Sequence, residues 1–281
     1  MAGWTTLVQA ETLAIALDRP DLVVVDCRFS LVDPLAGESA YREAHVPGAQ
    51  YAHLDRDLSG PVRIGAGRHP WPDADAFRRS LEGWGVTAQS QVVVYDDDSG
   101  AHAGRLWFLL RVFGHEKVAL LDGGWKRWTS LGSPTETLVR RRTPSSYRGA
   151  FAPERLLSAA EVAAHVAGGG LLLDARARER FRGDQEPIDR VAGHVPGAVN
   201  RPFPENLSGG RFKPPAQLAD EYRALLQGRA PADVVAMCGS GVTACHLLVA
   251  MERAGLKGAR LYAGSWSGWI ADPARPVATG D

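Results

Sequence analysis

Short, unbroken apolar runs punctuate the chain: "LVVV" at 22–25, "QVVVY" at 91–95, "LLL" at 171–173 and "DVVAM" at 233–237. Their length and continuity predict strands buried on both faces. Between them lie stretches with apolar positions spaced near 3.6 residues, such as "DADAFRRSLEGWG" and "PAQLADEYRALLQG". These predict amphipathic helices, each with a glycine near its end as a C-terminal stop. Strands alternating with helices imply an α/β protein whose mainly parallel sheets carry helices on both faces.

The pattern occurs twice. "VVVDCR" (23–28) answers "LLLDAR" (171–176), "AHVPGA" (44–49) answers "GHVPGA" (193–198), and "LDGGWKRW" (121–128) answers "YAGSWSGW" (262–269). Asp26 precedes His45 by 19 positions and Asp174 precedes His194 by 20, so the spacing repeats as well. Such self-similarity indicates two copies of one domain, expected at 1–135 and 156–281. Between them "SPTETLVRRRTPSSYRGAFAPERLL" has no periodicity and is rich in Pro, Ser, Thr and Arg. It predicts a linker over 136–155, with "RRR" as a solvated charge run.

Composition fits this picture. A length of 281 residues suits two domains at roughly 150 residues each. With 32 basic and 32 acidic residues the net charge is zero, which offers no electrostatic footprint for nucleic acid or an anionic membrane. No apolar stretch approaches the roughly 18 residues of a membrane span, and the N-terminus lacks a signal-peptide pattern. The expectation is a soluble, cytoplasmic protein. Its three cysteines, Cys27, Cys238 and Cys245, form neither a disulfide framework nor a CxxC metal signature.

A duplicated chain sorts its own candidates. Asp26 with Arg28 and Asp174 with Arg176 recur at the same strand end, which predicts local ion pairs. His45 and His194 recur within HVPGA, which predicts histidines that shape a turn. The loop after the second apolar run of each copy differs: "DDDSGAHAG" follows "QVVVY", whereas "CGSGVTA" follows "DVVAM". Asp96 thus stands where Cys238 stands, and a merely small, buried cysteine is not expected opposite an acid. At the carboxyl end of a parallel strand, successive backbone N–H groups and the next helix's dipole favour an anion. Gly239 and Gly241 let the backbone approach a ligand closely. Cys238 is therefore expected to be a thiolate nucleophile. A cysteine phosphatase would need arginine at the sixth following position, where Ala244 stands. Cys27 and Cys245 read as packing residues.

These residues, with "WFLLRVFGH", "LDGGW", "FRG" and "YAGSW", resemble the two-domain sulfurtransferases of the rhodanese superfamily over nearly the whole chain. The neutral loop looks like that of the 3-mercaptopyruvate sulfurtransferases, and thiosulfate-preferring members carry basic residues after the cysteine. The resemblance implies that Cys238 takes sulfur from 3-mercaptopyruvate as a persulfide and passes it to a thiol, a thioredoxin-like protein being one candidate, or to cyanide. It implies that the N–H groups of Gly239, Ser240, Gly241, Val242 and Thr243 steady the persulfide. A proton-handling group would comprise Ser240, His69 in "GRHPWP" and Asp55 in "YAHLD", with the site in the cleft between domains. Arg180 in "ERFRG" would hold the donor carboxylate. The family's second arginine is expected about nine residues later, where Ile188 and Asp189 stand; Arg190, one position late, is its substitute. No step calls for a metal or an organic cofactor. Two alternatives stay open: a thiosulfate:cyanide sulfurtransferase, and a noncatalytic persulfide carrier or redox-sensing module.

Overall fold

The computed structural model describes residues 3–281. Strands and helices alternate along the chain, which divides into two compact units. The first gathers the chain up to Gly60, Pro72–Ala152 and Gly209–Phe212; the second gathers Pro61–Trp71, Pro153–Ser208 and Lys213–Asp281. His69, which the repeat assigns to the first copy, therefore groups with the second unit.

In the first unit Leu7–Val8 (β1), Leu22–Asp26 (β2), Gln50–Tyr51 (β3), Gln91–Tyr95 (β4) and Val118–Leu121 (β5) lie in the order β1-β5-β4-β2-β3. Every neighbouring pair is parallel. In the second unit Leu171–Asp174 (β6), Val199–Asn200 (β7), Val234–Met237 (β10) and Arg260–Leu261 (β11) lie in the order β11-β10-β6-β7, again parallel throughout. Leu207–Ser208 (β8) and Arg211–Phe212 (β9) pair in a small hairpin. The two large sheets share one topology, and a single parallel bridge from Leu156 to Leu261 stands in the second where β1 stands in the first. The apolar runs in β2, β4, β6 and β10 are buried along their whole length, which explains why they show no alternation. Each buried Val or Leu contributes about 1.5–3 kcal/mol.

"DADAFRRSLEGWG" forms helix Ala74–Gly83, capped by Asp73 accepting the Ala76 N–H at 2.8 Å, with Phe77 and Leu81 buried. "PAQLADEYRALLQG" forms Pro215–Leu226, and here the left-handed cap is Gln227 (φ 50°), one residue before Gly228. The helices that follow β4 and β10, Ala103–Val112 and Ala244–Arg253, are buried nearly all round. With no face left to solvent, neither needs a polar stripe.

The recurrent pairs form one repeated motif. Arg28 donates Nε to both oxygens of Asp26 (3.1 and 2.9 Å) and Nη2 to Asp26 Oδ2 and the Ala44 carbonyl (2.7 Å each), with its guanidinium 4.7 Å over Trp125. Arg176 repeats this on Asp174 (3.1, 3.0 and 2.7 Å), the Gly193 carbonyl (2.8 Å) and Trp266 (4.7 Å). The charges are fully buried, and each pair ties a strand end to the HVPG turn and the tryptophan helix. His45 and His194 lock that turn, Nδ1 bonding the carbonyls of Tyr41 (2.7 Å) and Phe181 (2.8 Å) while each ring stacks on the same residue.

The stretch from 136 to 152 lies along the first unit. Glu136 exchanges backbone hydrogen bonds with His45, Arg140 offers its carbonyl to Gln50, and Arg142 donates to the Leu22 carbonyl at 2.6 Å. Arg141 and most of its neighbours are exposed, and Tyr147 is buried.

Breaking a buried pair leaves an uncompensated charge. Asp174→Ala should therefore lower stability by about 3–5 kcal/mol in urea unfolding. A loss below about 1 kcal/mol would show that Arg176 is not held by this carboxylate.

Candidate active site

Cys238 is the first residue beyond the carboxyl end of β10 and is almost fully buried. Its Sγ accepts the Gly241 N–H at 3.2 Å, so the chain curls back to aim a backbone donor at the sulfur. Gly241 has φ 78°, and a side chain there would stand 2.4 Å from the Ala263 carbonyl oxygen, so the curl requires glycine. The short helix Ser265–Trp269 pins the loop from the other side. Cys238 N–H donates to Ser265 Oγ (3.1 Å), while the Cys238 and Gly239 carbonyls accept from the N–H groups of Trp266 (2.9 Å) and Ser267 (3.0 Å). Val242 is buried, and Thr243 leads into helix Ala244–Arg253, whose N-terminal dipole adds partial positive charge at the loop.

The first unit builds the same loop around a carboxylate. Asp96 follows β4, and its oxygens accept the N–H groups of Gly100 (2.8 Å), His102 (2.8 Å) and Ala103 (3.0 Å). Trp125 and Lys126 donate to the carbonyls of Asp96 and Asp97 as Trp266 and Ser267 do in the second unit. Here the anion site is filled by the chain itself.

Residues 61–71 bring further groups to the cysteine loop. His69 Nδ1 lies 2.8 Å from Ser240 Oγ, and both residues are buried. Arg68 N–H donates to Ser267 Oγ at 3.1 Å. Gly67, with φ 84°, passes so close that a side chain would stand 2.5 Å from the Gly264 carbonyl oxygen. Asp55 is in the first unit, exposed on the short helix Leu54–Asp57, with its N–H donated to His53 Nδ1 at 3.1 Å.

Arg180, on helix Arg178–Arg182, donates Nε to both Glu186 oxygens (3.0 and 3.1 Å) and Nη2 to Asp189 Oδ2 (3.0 Å). Asp189 Oδ1 accepts from Arg68. A side chain at Gly239 would meet Arg68 Nη2 at 3.0 Å and Arg180 Nη1 at 3.5 Å, so two guanidinium groups flank the residue after the cysteine. Arg190 instead donates Nη2 to the Ile270 carbonyl. Burial pushes the Asp189 carboxyl up from its ordinary range, against the pull of Arg68. Burial acts the same way on Glu186, but the Arg180 hydrogen bonds and the Asp189 and Ile188 N–H groups outweigh it and hold that carboxyl low.

Residues 9–131 and 158–272 each match the rhodanese-like domain. The "Probable 3-mercaptopyruvate sulfurtransferase" of Pseudomonas aeruginosa is 52% identical over 279 residues, 98% of each chain. The chain belongs to the rhodanese family of sulfurtransferases. Thiosulfate sulfurtransferase of Rattus norvegicus is 31% identical over 284 residues, covering 96% of this chain and 93% of the relative. The crystal structure of SseA from Escherichia coli, described as a 3-mercaptopyruvate sulfotransferase, superposes with a TM-score of 0.80 at 30% identity, covering 94% of this chain and all of that one.

The other cysteines of this rhodanese are placed for packing. Burial, together with the charges of Asp26, Asp96 and Asp57, pushes the Cys27 thiol well above its ordinary range, which disfavours the reactive thiolate. Cys245 is fully buried and donates to the Gly241 carbonyl at 3.4 Å, bracing the loop. Two residues of this site escaped sequence reasoning. Arg68 was passed over although it adjoins His69, and Ser265, the acceptor for Cys238 N–H, has its own signal in the repeat: it occupies the place of Gly124 and shares its positive φ (51° and 56°).

If the Gly67 contact positions His69, Gly67→Ala should lower sulfur-transfer kcat by about 10²-fold, the order expected for a misplacement near 1 Å. Gly65→Ala, where a side chain meets only open space despite φ 80°, controls for backbone strain. Equal kcat in the two variants would rule the positioning role out.

Proposed function

We propose that this sulfurtransferase moves a sulfane sulfur from 3-mercaptopyruvate to a thiol or cyanide through a persulfide on Cys238. The observation that carries the reading is the Gly241 N–H aimed at the sulfur at 3.2 Å, with Ser240 and His69 bonded to each other beside it. The Cys238 thiolate attacks the donor's thiol sulfur, forming the S–S bond as the C–S bond breaks. The C–S electron pair leaves as the enolate of pyruvate. The donor's thiol proton passes through Ser240 and His69 to the enolate carbon, giving pyruvate and a persulfide anion on Cys238. An acceptor thiolate or cyanide then attacks the outer sulfur and regenerates the thiolate. N–H groups from Gly239 to Thr243 would stabilise the persulfide charge. Arg180 would hold the donor carboxylate in two parallel hydrogen bonds, and Asp55 would complete the proton group as the family resemblance implies.

One observation favours a second reading, in which thiosulfate is the donor. Two guanidinium groups, those of Arg68 and Arg180, lie beside Gly239, where the loop sequence itself has no basic residue. The ratio of kcat/KM for the two donors separates the readings, and a preference for thiosulfate would replace 3-mercaptopyruvate while leaving the persulfide in place.

Intact-mass measurement checks the covalent step. Donor treatment should add one sulfur to the wild type, and a small thiol should remove it with turnover. Cys238→Ser should take none, while Cys27→Ser and Cys245→Ser should load as the wild type does. Loading that survives Cys238→Ser would end the proposal.

A further inference from the structure

Two cations next to the nucleophile call for an account of the charge a donor meets there. Arg68 Nη2 and Arg180 Nη1 would stand 3.0 and 3.5 Å from a side chain at Gly239, and Asp189 is shared between the two guanidinium groups, one oxygen to each. Arg68 Nε is buried without a hydrogen-bond partner, which leaves a donor in reserve. An open cavity of about 500 Å³ adjoins the cluster, with Arg68, Asp189, Arg190, Ser267 and Ile270 among its walls.

We propose that Arg68 is the second guanidinium of the donor-binding site and that Asp189 sets the charge of the donor it accepts. This rests on the sulfur-transfer reading above. Arg68 comes from the segment next to His69, so it occupies the role expected of Arg190, which is engaged with the Ile270 carbonyl instead. Paired one to one, Arg68 with Asp189 and Arg180 with Glu186, the cluster is neutral. A monocarboxylate can join it between the Arg68 and Arg180 guanidinium groups that flank Gly239. A dianion such as thiosulfate brings a second negative charge against Asp189 and Glu186. Like charges at this range repel, and the partly buried carboxylates are screened less than exposed ones. Asp189 thus favours the singly charged donor by repulsion of the doubly charged one, a form of specificity that needs no contact with the preferred substrate.

Steady-state kinetics with 3-mercaptopyruvate and thiosulfate, run on the full chain with mass detection of the Cys238 adduct, test this. Arg68→Ala should raise KM for 3-mercaptopyruvate by about tenfold with kcat little changed, and Arg68→Lys should recover part of the loss. Asp189→Asn, which keeps an acceptor oxygen but removes the charge, should raise kcat/KM for thiosulfate relative to 3-mercaptopyruvate by about tenfold. An unchanged KM in Arg68→Ala, or an equal effect of Asp189→Asn on both donors, overturns the assignment. Failure of the underlying reading looks different: the wild type itself would take no sulfur on Cys238 from either donor.

Discussion

At the carboxyl end of a buried parallel strand, the loop into the next helix presents backbone N–H groups with no strand or helix partner, and each must be met by an acceptor. In this protein the acceptor that meets them divides the two units. Asp96 closes the first unit's loop with three N–H bonds and leaves nothing for a ligand to displace cheaply. Cys238 puts a sulfur at the same place, held by a Gly241 N–H. A sulfur there can accept a second sulfur and extend its charge, and a carboxylate cannot. The surrounding framework, including the helix that pins each loop through two backbone bonds, is the same in both units.

Holding a reactive loop still needs rigid neighbours, and buried charge provides them. The Asp174–Arg176 pair and its stacked Trp266 fix the strand end against the helix Ser265–Trp269, which in turn pins Cys238 and Gly239. The same helix receives Arg68 through Ser267 Oγ. One short element therefore sets the position of both Cys238 and a cation beside it. Its backbone strain at Ser265, a non-glycine residue at φ 51°, accompanies the hydroxyl that accepts the Cys238 N–H. Glycine in the equivalent position of the first unit, Gly124, has the relaxed backbone and no such acceptor.

Most of the fold was legible in the sequence because its signals are local. The apolar runs became strands β2, β4, β6 and β10, and the repeat appeared in the sheets as one topology drawn twice. The cysteine loop was legible for the same reason, since strand, glycines and helix start all lie within a few residues. What escaped was non-local. No periodicity tells that 61–71 packs with the second unit, because its attachment is a close passage of Gly67 against Gly264, nearly two hundred residues away. Arg68 was invisible for that reason, and counting positions from Arg180 led to Arg190. The stretch after 135 read as a linker because it is polar and aperiodic, yet its carbonyls and arginines find partners on the first unit through single hydrogen bonds that leave no pattern.

The internal repeat carries the argument one step past the cysteine. His45 and His194 bond the carbonyls of Tyr41 and Phe181, so those two residues occupy equivalent places, and the residues before them, Ala40 and Arg180, do as well. The first unit therefore lacks the guanidinium at the position where the second has one beside its loop. Substitution at the loop alone would explain the loss of the cysteine, but the paired differences at Asp96/Cys238 and Ala40/Arg180 fit the two separate jobs proposed above. In the proposed reaction, backbone N–H groups fixed by the fold stabilise charge on sulfur whatever the donor. Cations reaching Gly239 from other segments would, on the proposed reading, respond to the rest of the donor molecule. Because those cations come paired with Glu186 and Asp189, one substitution can change the charge beside Gly239 without disturbing the loop that, in the proposed reaction, carries the nucleophile.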